Sequence, residues 1–172
     1  MILETLRAIT DALNNNIYGV NVQIPNVTRD SGDTEPPAIS AAYDETRSNA
    51  VAVGTLDNIS YPLLAVTFND TVTLNGEVTS GYRDATITIL IRYMTRDSET
   101  ALARSHGYYT LRATEKALAA YMENTNITDR VRNGVQLISS TGMEHIPMLE
   151  MYEDAIITGA LRVELFIRDT TP

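Results

Sequence analysis

The hydrophobic pattern of this chain changes period several times. Ile2, Leu6, Ile9 and Leu13 recur at spacings of four, three and four, one stripe of an amphipathic helix. The run Asn14–Asn16 ends it, because Asn tolerates left-handed backbone and competes for backbone hydrogen bonds. Val20, Val22 and Ile24 then alternate with Asn21 and Gln23, which predicts a short strand stopped by Pro25. From Asn26 to Pro37 the chain is polar and carries Ser-Gly-Asp and Pro-Pro, the chemistry of a loop. Beyond it, AISAAY and AVAV read as two short strands.

Tyr61-Pro62 leads into LLAVTF, a strand with Leu64, Val66 and Phe68 on one face. Asn75-Gly76 signals a hairpin between TVTL and EVT, since both residues accept positive φ, so residues 69–82 are expected to project. In RDATITILIRYM, Ala85, Ile87, Ile89, Ile91 and Tyr93 make one uniformly apolar face. The other holds Thr86, Thr88, Leu90, Arg92 and Met94. A strand with one fully apolar and one mixed face belongs at the centre of a sheet, or beneath something that accepts Arg92. At Asp97-Ser98 the period becomes helical, with either residue able to cap the first turn. That helix runs through Leu102, Tyr109, Leu111, Leu118 and Met122 to Glu123, although Gly107 costs it about 1 kcal/mol relative to Ala. After a break at Asn133-Gly134, VQLISS, HIPMLEM and ALRVELFIRD are three more strands, the last alternating most cleanly.

Strands joined by hairpins around two substantial helices predict one α+β domain over residues 1–172. Its mainly antiparallel sheet would have both helices packed on one face, with a projecting hairpin and a long irregular insertion at 26–60. The absence of cysteine excludes disulfides and thiolate chemistry. No apolar run reaches the length of a membrane span, and MILETLRAITDALNNN lacks the layout of a signal peptide. The sequons at Asn26, Asn58, Asn69 and Asn126 therefore read as by-products of an Asn- and Thr-rich composition. A net charge of −9, with Lys116 the single lysine, argues against a protein that grips nucleic acid.

Candidate chemistry is sparse. His106 falls mid-helix and His145 within a strand, neither with repeating ligand spacing, so both read as structural and no metal site is expected. Glu150, Glu153 and Asp154 cluster as a solvated turn, the one place where a hydrolase would find paired carboxylates. Asp30, Asp33 and Glu35 lack the spacing of a calcium loop. No phosphate-binding or nucleophile-elbow motif occurs, so neither catalytic residues nor cofactors are expected. Nine tyrosines against two phenylalanines favour surfaces that meet other proteins.

The order ILETLRAITDAL, YPLLAVTF, long hairpin, RDATITILIRYM, DSETALARSHGYYTLRATEKAL and a closing ITGALRVELFIRD resembles the tail terminator (tail-completion) proteins of long-tailed bacteriophages. The resemblance implies a non-enzymatic virion protein that forms a homo-hexameric ring. Such a ring caps the tail tube protein, ends tube growth and meets a head-completion or connector protein. DNA passes through its lumen without specific binding, and no membrane is involved. It implies assembly in the host cytoplasm and a final place at the tail–neck junction. The interface residues in that picture are Thr71, Val72, Leu74, Asn75, Gly76, Val78 and Tyr82 on the hairpin, with Arg92 on the following strand. The alternative is another head-to-tail joining protein, a stopper or connector adaptor.

Overall fold

The computed structural model describes residues 1–44, 59–75, 83–152 and 155–170, with backbone alone at residues 70, 71 and 75. The expectations for AVAV, EVT, Gly76, Val78, Tyr82, Glu153 and Asp154 lie outside the described residues.

Helix α1 (Ile2–Leu13) forms where the apolar stripe foretells it, with Leu6, Ile9 and Leu13 buried. Thr5 and Thr10 are buried too, and their hydroxyls donate to the carbonyls of Met1 and Leu6 at 2.9 and 2.7 Å. The strand expected at Val20–Ile24 is instead a helical turn, α2 (Val20–Gln23), continued by a 3-10 turn over Ile24–Asn26. Val20, Ile24 and Val27 are buried while Val22 is only half-buried. Spacings of four and three put the three buried residues on one helical side, where strand alternation would have buried Val22 as well.

Residues 27–37 are irregular, as expected, and of AISAAY only Ala42–Tyr43 becomes a strand, yet the segment is firmly tied. The Asn21 side chain exchanges two hydrogen bonds with the backbone of Ile39, at 2.9 and 2.8 Å. Asn14 does the same with Ala42, at 2.9 and 2.7 Å. A primary amide carries a donor and an acceptor side by side, so each Asn stands in for a strand neighbour. Ala42–Tyr43 then forms β1, parallel to Leu64–Ala65.

The remaining strands are β2 (Leu63–Asn75), β3 (Arg83–Thr95), β4 (Val131–Arg132), β5 (Val135–Met151) and β6 (Ile156–Asp169). Among the described residues they form one sheet in the order β1-β2-β3-β6-β5-β4, antiparallel apart from the β1–β2 pair. β3 and β6 occupy the centre, paired from Arg83 opposite Asp169 to Thr95 opposite Ile156 with one register shift between Tyr93 and Met94. Ala85, Ile87, Ile89, Ile91 and Tyr93 are fully buried beside Leu161, Val163, Leu165 and Ile167, in one cluster with the α1 stripe. The fold is thus α+β, with a mainly antiparallel sheet and two principal helices on one face. A smaller apolar cluster around Leu63, Ala65, Met94 and Ile157 lies on the opposite face.

Two strand boundaries differ from expectation. Residues 69–75 run inside the sheet as the second half of β2, with Val72 opposite Ile87 and Leu74 opposite Ala85. The alternating Val72 and Leu74 extend the ladder along β3, so TVTL takes its partner from β3. VQLISS and HIPMLEM are one strand, β5, interrupted by register shifts at Leu137/Ser139, Ser140/Gly142 and Pro147/Glu150. Each bulge absorbs a residue that breaks the two-residue period, and an outer strand tolerates Pro147. Asn133 and Gly134, at φ +48° and +80°, make the two-residue turn joining β4 to β5.

The second long helix, α3, spans Thr100–Asn124. Asp97 Oδ1 accepts the Glu99 N–H at 3.1 Å, a turn ahead of the helix, and the N-cap itself is Glu99 without a side-chain cap bond. Its buried line runs Ala103, Gly107, Thr110, Thr114, Ala117 and Tyr121, mostly small residues at spacings of four and three. Leu111 and Leu118 flank that line, and Met122 is half-buried. The small residues bring α3 close to the sheet. A β-carbon added at Gly107 would overlap Thr158 Oγ1 and stand 3.0 Å from Tyr93 Cδ1. Gly107→Ala should therefore lower stability by about 1–3 kcal/mol through overpacking, against the gain of about 1 kcal/mol that helix propensity alone forecasts. Urea denaturation of the two proteins decides the sign, and a more stable variant would mean the seam is looser than described.

Candidate assembly interface

Among the described residues, the sheet is only partly covered on both sides. Within that set, β1 pairs with β2 at Leu64 and Ala65, and β4 pairs with β5 at Val135 and Gln136. Among the described residues, β2 from Val66 to Asn75 and β5 from Ile138 to Met151 therefore have a single strand neighbour each. An outer strand presents a row of backbone donors and acceptors to whatever approaches. Among the described residues, five of the nine exposed large apolar side chains lie at these edges, the others being Ile17, Tyr108, Ile127 and Val131. Val72 and Leu74 on β2 are 36% and 60% exposed, and Leu149, Met151 and Tyr152 at the end of β5 are 44%, 75% and 41% exposed. Clustering at two edges marks a contact surface better than scattered exposure would.

Two grooves separate α3 from β5. The first, about 510 Å³, lies between Arg104, Tyr108 and Leu111 on α3 and His145, Pro147 and Leu149 on β5. The second, about 520 Å³, is bounded by Leu118 and Met122 on one side and by Ile138 and Met143 on the other. His145 Nε2 stands 3.0 Å from Glu115 Oε1 without the alignment of a hydrogen bond. Glu115 also pairs with Arg112 at 3.0 Å, and the rings of Tyr108 and His145 are 5.7 Å apart. His106 is buried, with Nε2 2.9 Å from Thr34 Oγ1. Both histidines are thus held by side chains of the fold, and among the described residues no three His, Asp or Glu gather as a metal would need.

The expected interface residues are only partly brought together. Thr71, Val72, Leu74 and Asn75 all lie in the second half of β2, while Gly76, Val78 and Tyr82 fall outside the described residues. Arg92 is far from them. It sits opposite Ala65 and Ala160, seven positions along β3 from Ala85, the partner of Leu74, or about 23 Å at the usual rise per residue. Its guanidinium donates to Thr67 Oγ1 at 3.1 Å, and its buried Nε has no partner among the described residues. Glu150, the described member of the acidic cluster, is exposed and accepts a hydrogen bond from the Tyr152 hydroxyl at 2.9 Å. That bond, more than burial, raises the Tyr152 hydroxyl above the ordinary tyrosine range.

Sequence reasoning missed Leu149, Met151 and Tyr152. A signal existed in HIPMLEM, where apolar residues stand on both faces of a strand that the net charge left without a reason to be buried. No protein-family model matches the chain, and none of the curated proteins compared with it matches.

At the end of the sheet where β3 begins, Arg168 forks onto Asp84 across β3 and β6, with bonds of 2.7 and 2.9 Å. The guanidinium bonded to both oxygens holds the Asp84 carboxyl below the usual carboxylate range, outweighing the upward push of burial. Because the folded value is depressed, the pair contributes fully above about pH 4, where unfolded Asp ionises. The contribution fades as pH falls through the folded value. Asp84→Asn should lower stability at neutral pH by under about 1 kcal/mol, the pair being partly exposed and screened. The variant should also lose less stability than the parent between about pH 6 and pH 3. Denaturation midpoints across that range check both, and parallel acid limbs would show that the pair is not responsible.

Proposed function

We propose that this chain is a structural assembly protein of the tail-terminator kind. It would act as a homo-hexameric ring that caps a tail tube, ends its growth and joins it to the head connector. The observation that carries this reading is that, among the described residues, the sheet has two unlike open edges, β2 on one side and β5 on the other, each bearing exposed apolar residues. Unlike edges suit head-to-tail contacts, which close into rings when the rotation between copies allows. The order of helices and strands fits as well, with α1 and α3 on one face of an antiparallel sheet.

Charge supports the passage of DNA. Six copies at −9 give a ring of about −54, a wall that repels phosphate rather than holding it. Among the described residues, Arg168, Arg162 and Arg132 are committed to Asp84, Glu144 and Asp11, which leaves less cation for a phosphate track. The tail tube protein and the connector are the partners this reading requires.

The purified protein should show a species of about 114 kDa, six copies of 19.0 kDa, with a central hole in negative stain. If the ring closes only on its target, adding the protein to growing tail tubes should fix their length. A stable dimer that leaves tube growth unchanged would overturn the proposal, and so would a ring that retains duplex DNA at physiological salt.

A further inference from the structure

We propose that copies of this chain join by strand addition, with the outer edge of β2 from one copy lying along the outer edge of β5 from the next. The inference rests on the self-assembly part of the ring reading and adds the contact that performs it. Three pairings of two open edges exist, and their chemistry separates them. From Ile138 to Met151, β5 carries Glu144 and Glu150 and no Lys or Arg. Pairing β5 with itself would therefore set carboxylates against carboxylates, and like charges across a ladder are destabilising. From Val66 to Asn75, β2 has Asp70 as its one charge and is otherwise rich in Val, Thr, Phe and Leu, the residues that favour a ladder. Pairing β2 with itself would leave the longer β5 edge and its exposed Leu149 and Met151 uncovered. Only β2 against β5 meets both edges and limits the repulsion.

The structure also shows where the added strand would lie. Natural edges are commonly blunted by lysines, prolines or bulges. Neither edge has a lysine; β2 has one irregularity, between Phe68 and Val72, and the guards on β5 are Pro147 and three bulges. Between them, Gly142–Pro147 keeps one-for-one register with β6, from Glu164 to Gly159. This is the regular run on which a new ladder can be built. Beside it lies the groove between Tyr108 and Leu149, open to every second side chain of an incoming strand. Because the two edges differ, each added copy presents the same β2 edge onward, as a ring requires.

The native chain has no cysteine, so paired thiols report the contact directly. Thr73→Cys on β2 and Thr141→Cys on β5 replace exposed side chains. With a short bis-maleimide, the doubly substituted full-length chain should give a ladder of dimers, trimers and higher species. A mixture of the two single variants should stop at dimers, and each single variant alone should stay monomeric. Dimers from Thr141→Cys alone would show β5 paired with itself and overturn the proposal. A double variant that does not cross-link although its solution mass is that of a ring would also overturn it, leaving the ring reading intact. An unlinked chain that is monomeric at every concentration overturns the edge contact too, and the ring reading is then judged separately on tube ends. As a second check, Leu74→Lys should lower the oligomeric fraction at least tenfold at a given concentration, with an unchanged thermal midpoint. An unaltered fraction would exclude the β2 edge.

Discussion

The close seating of α3 on the central strands is the constraint on which the rest of this molecule depends. Ala103, Gly107, Thr110, Thr114 and Ala117 give the helix an almost flat underside. It can therefore lie near β3 and β6 in a way that a leucine-faced helix cannot. The seam has a cost, since the Tyr93 hydroxyl and Thr110 Oγ1 are buried without partners among the described residues. Burial accordingly pushes the Tyr93 hydroxyl up to about 12. An unpaired buried hydroxyl costs roughly 1–3 kcal/mol, so packing across the seam must exceed that. The same helix also tethers the long irregular segment. The Tyr109 hydroxyl donates to Asp33 at 2.6 Å and accepts the Asp30 N–H at 3.1 Å, while His106 meets Thr34.

A helix centred over β3 and β6 cannot also cover β5. The outer strand therefore extends beyond it, and the two grooves between α3 and β5 are the space left over. Bulges let β5 twist along this uncovered border while keeping its ladder to β6. The candidate interface is thus a consequence of where the core sits. It did not need a separate motif, and none is visible in the sequence.

That relation also explains what was legible beforehand. The α1 stripe, the odd face of β3 and the alternation in β6 are long periodic signals with strong burial on one side, and each was readable. Val20–Ile24 misled because five residues can satisfy a two-residue and a four-residue spacing at once, and packing against α3 decides between them. The depth of α3 was hidden because its contact line is built from Ala, Gly and Thr, which carry little hydrophobic signal. Gly107 looked like a weakness of the helix and is instead its point of closest approach. The hairpin reading covered Thr71, Val72, Leu74 and Asn75; of these the ladder to β3 holds Val72, Leu74 and Asn75, and the tip lies outside the described residues. No local pattern reveals that β5 beyond Gln136 has β6 as its one strand neighbour among the described residues, since that depends on the order of all six strands.

Open apolar edges ordinarily invite indiscriminate aggregation. Acidity offers this chain a filter with two ranges. At physiological salt the screening length is about 8 Å, under two strand spacings. A net charge of −9 therefore slows encounters between copies but does little to weaken a ladder once formed. At contact range, individual carboxylates take over. Glu144 and Glu150 penalise β5 against itself, while β2, nearly neutral, remains acceptable. Glu144 is already held by Arg162 at 2.5 Å, so its charge is oriented across the sheet rather than left to find a cation on the neighbour. Under the edge-to-edge proposal, the same carboxylates that would keep a lumen free of DNA also choose which edge each copy accepts.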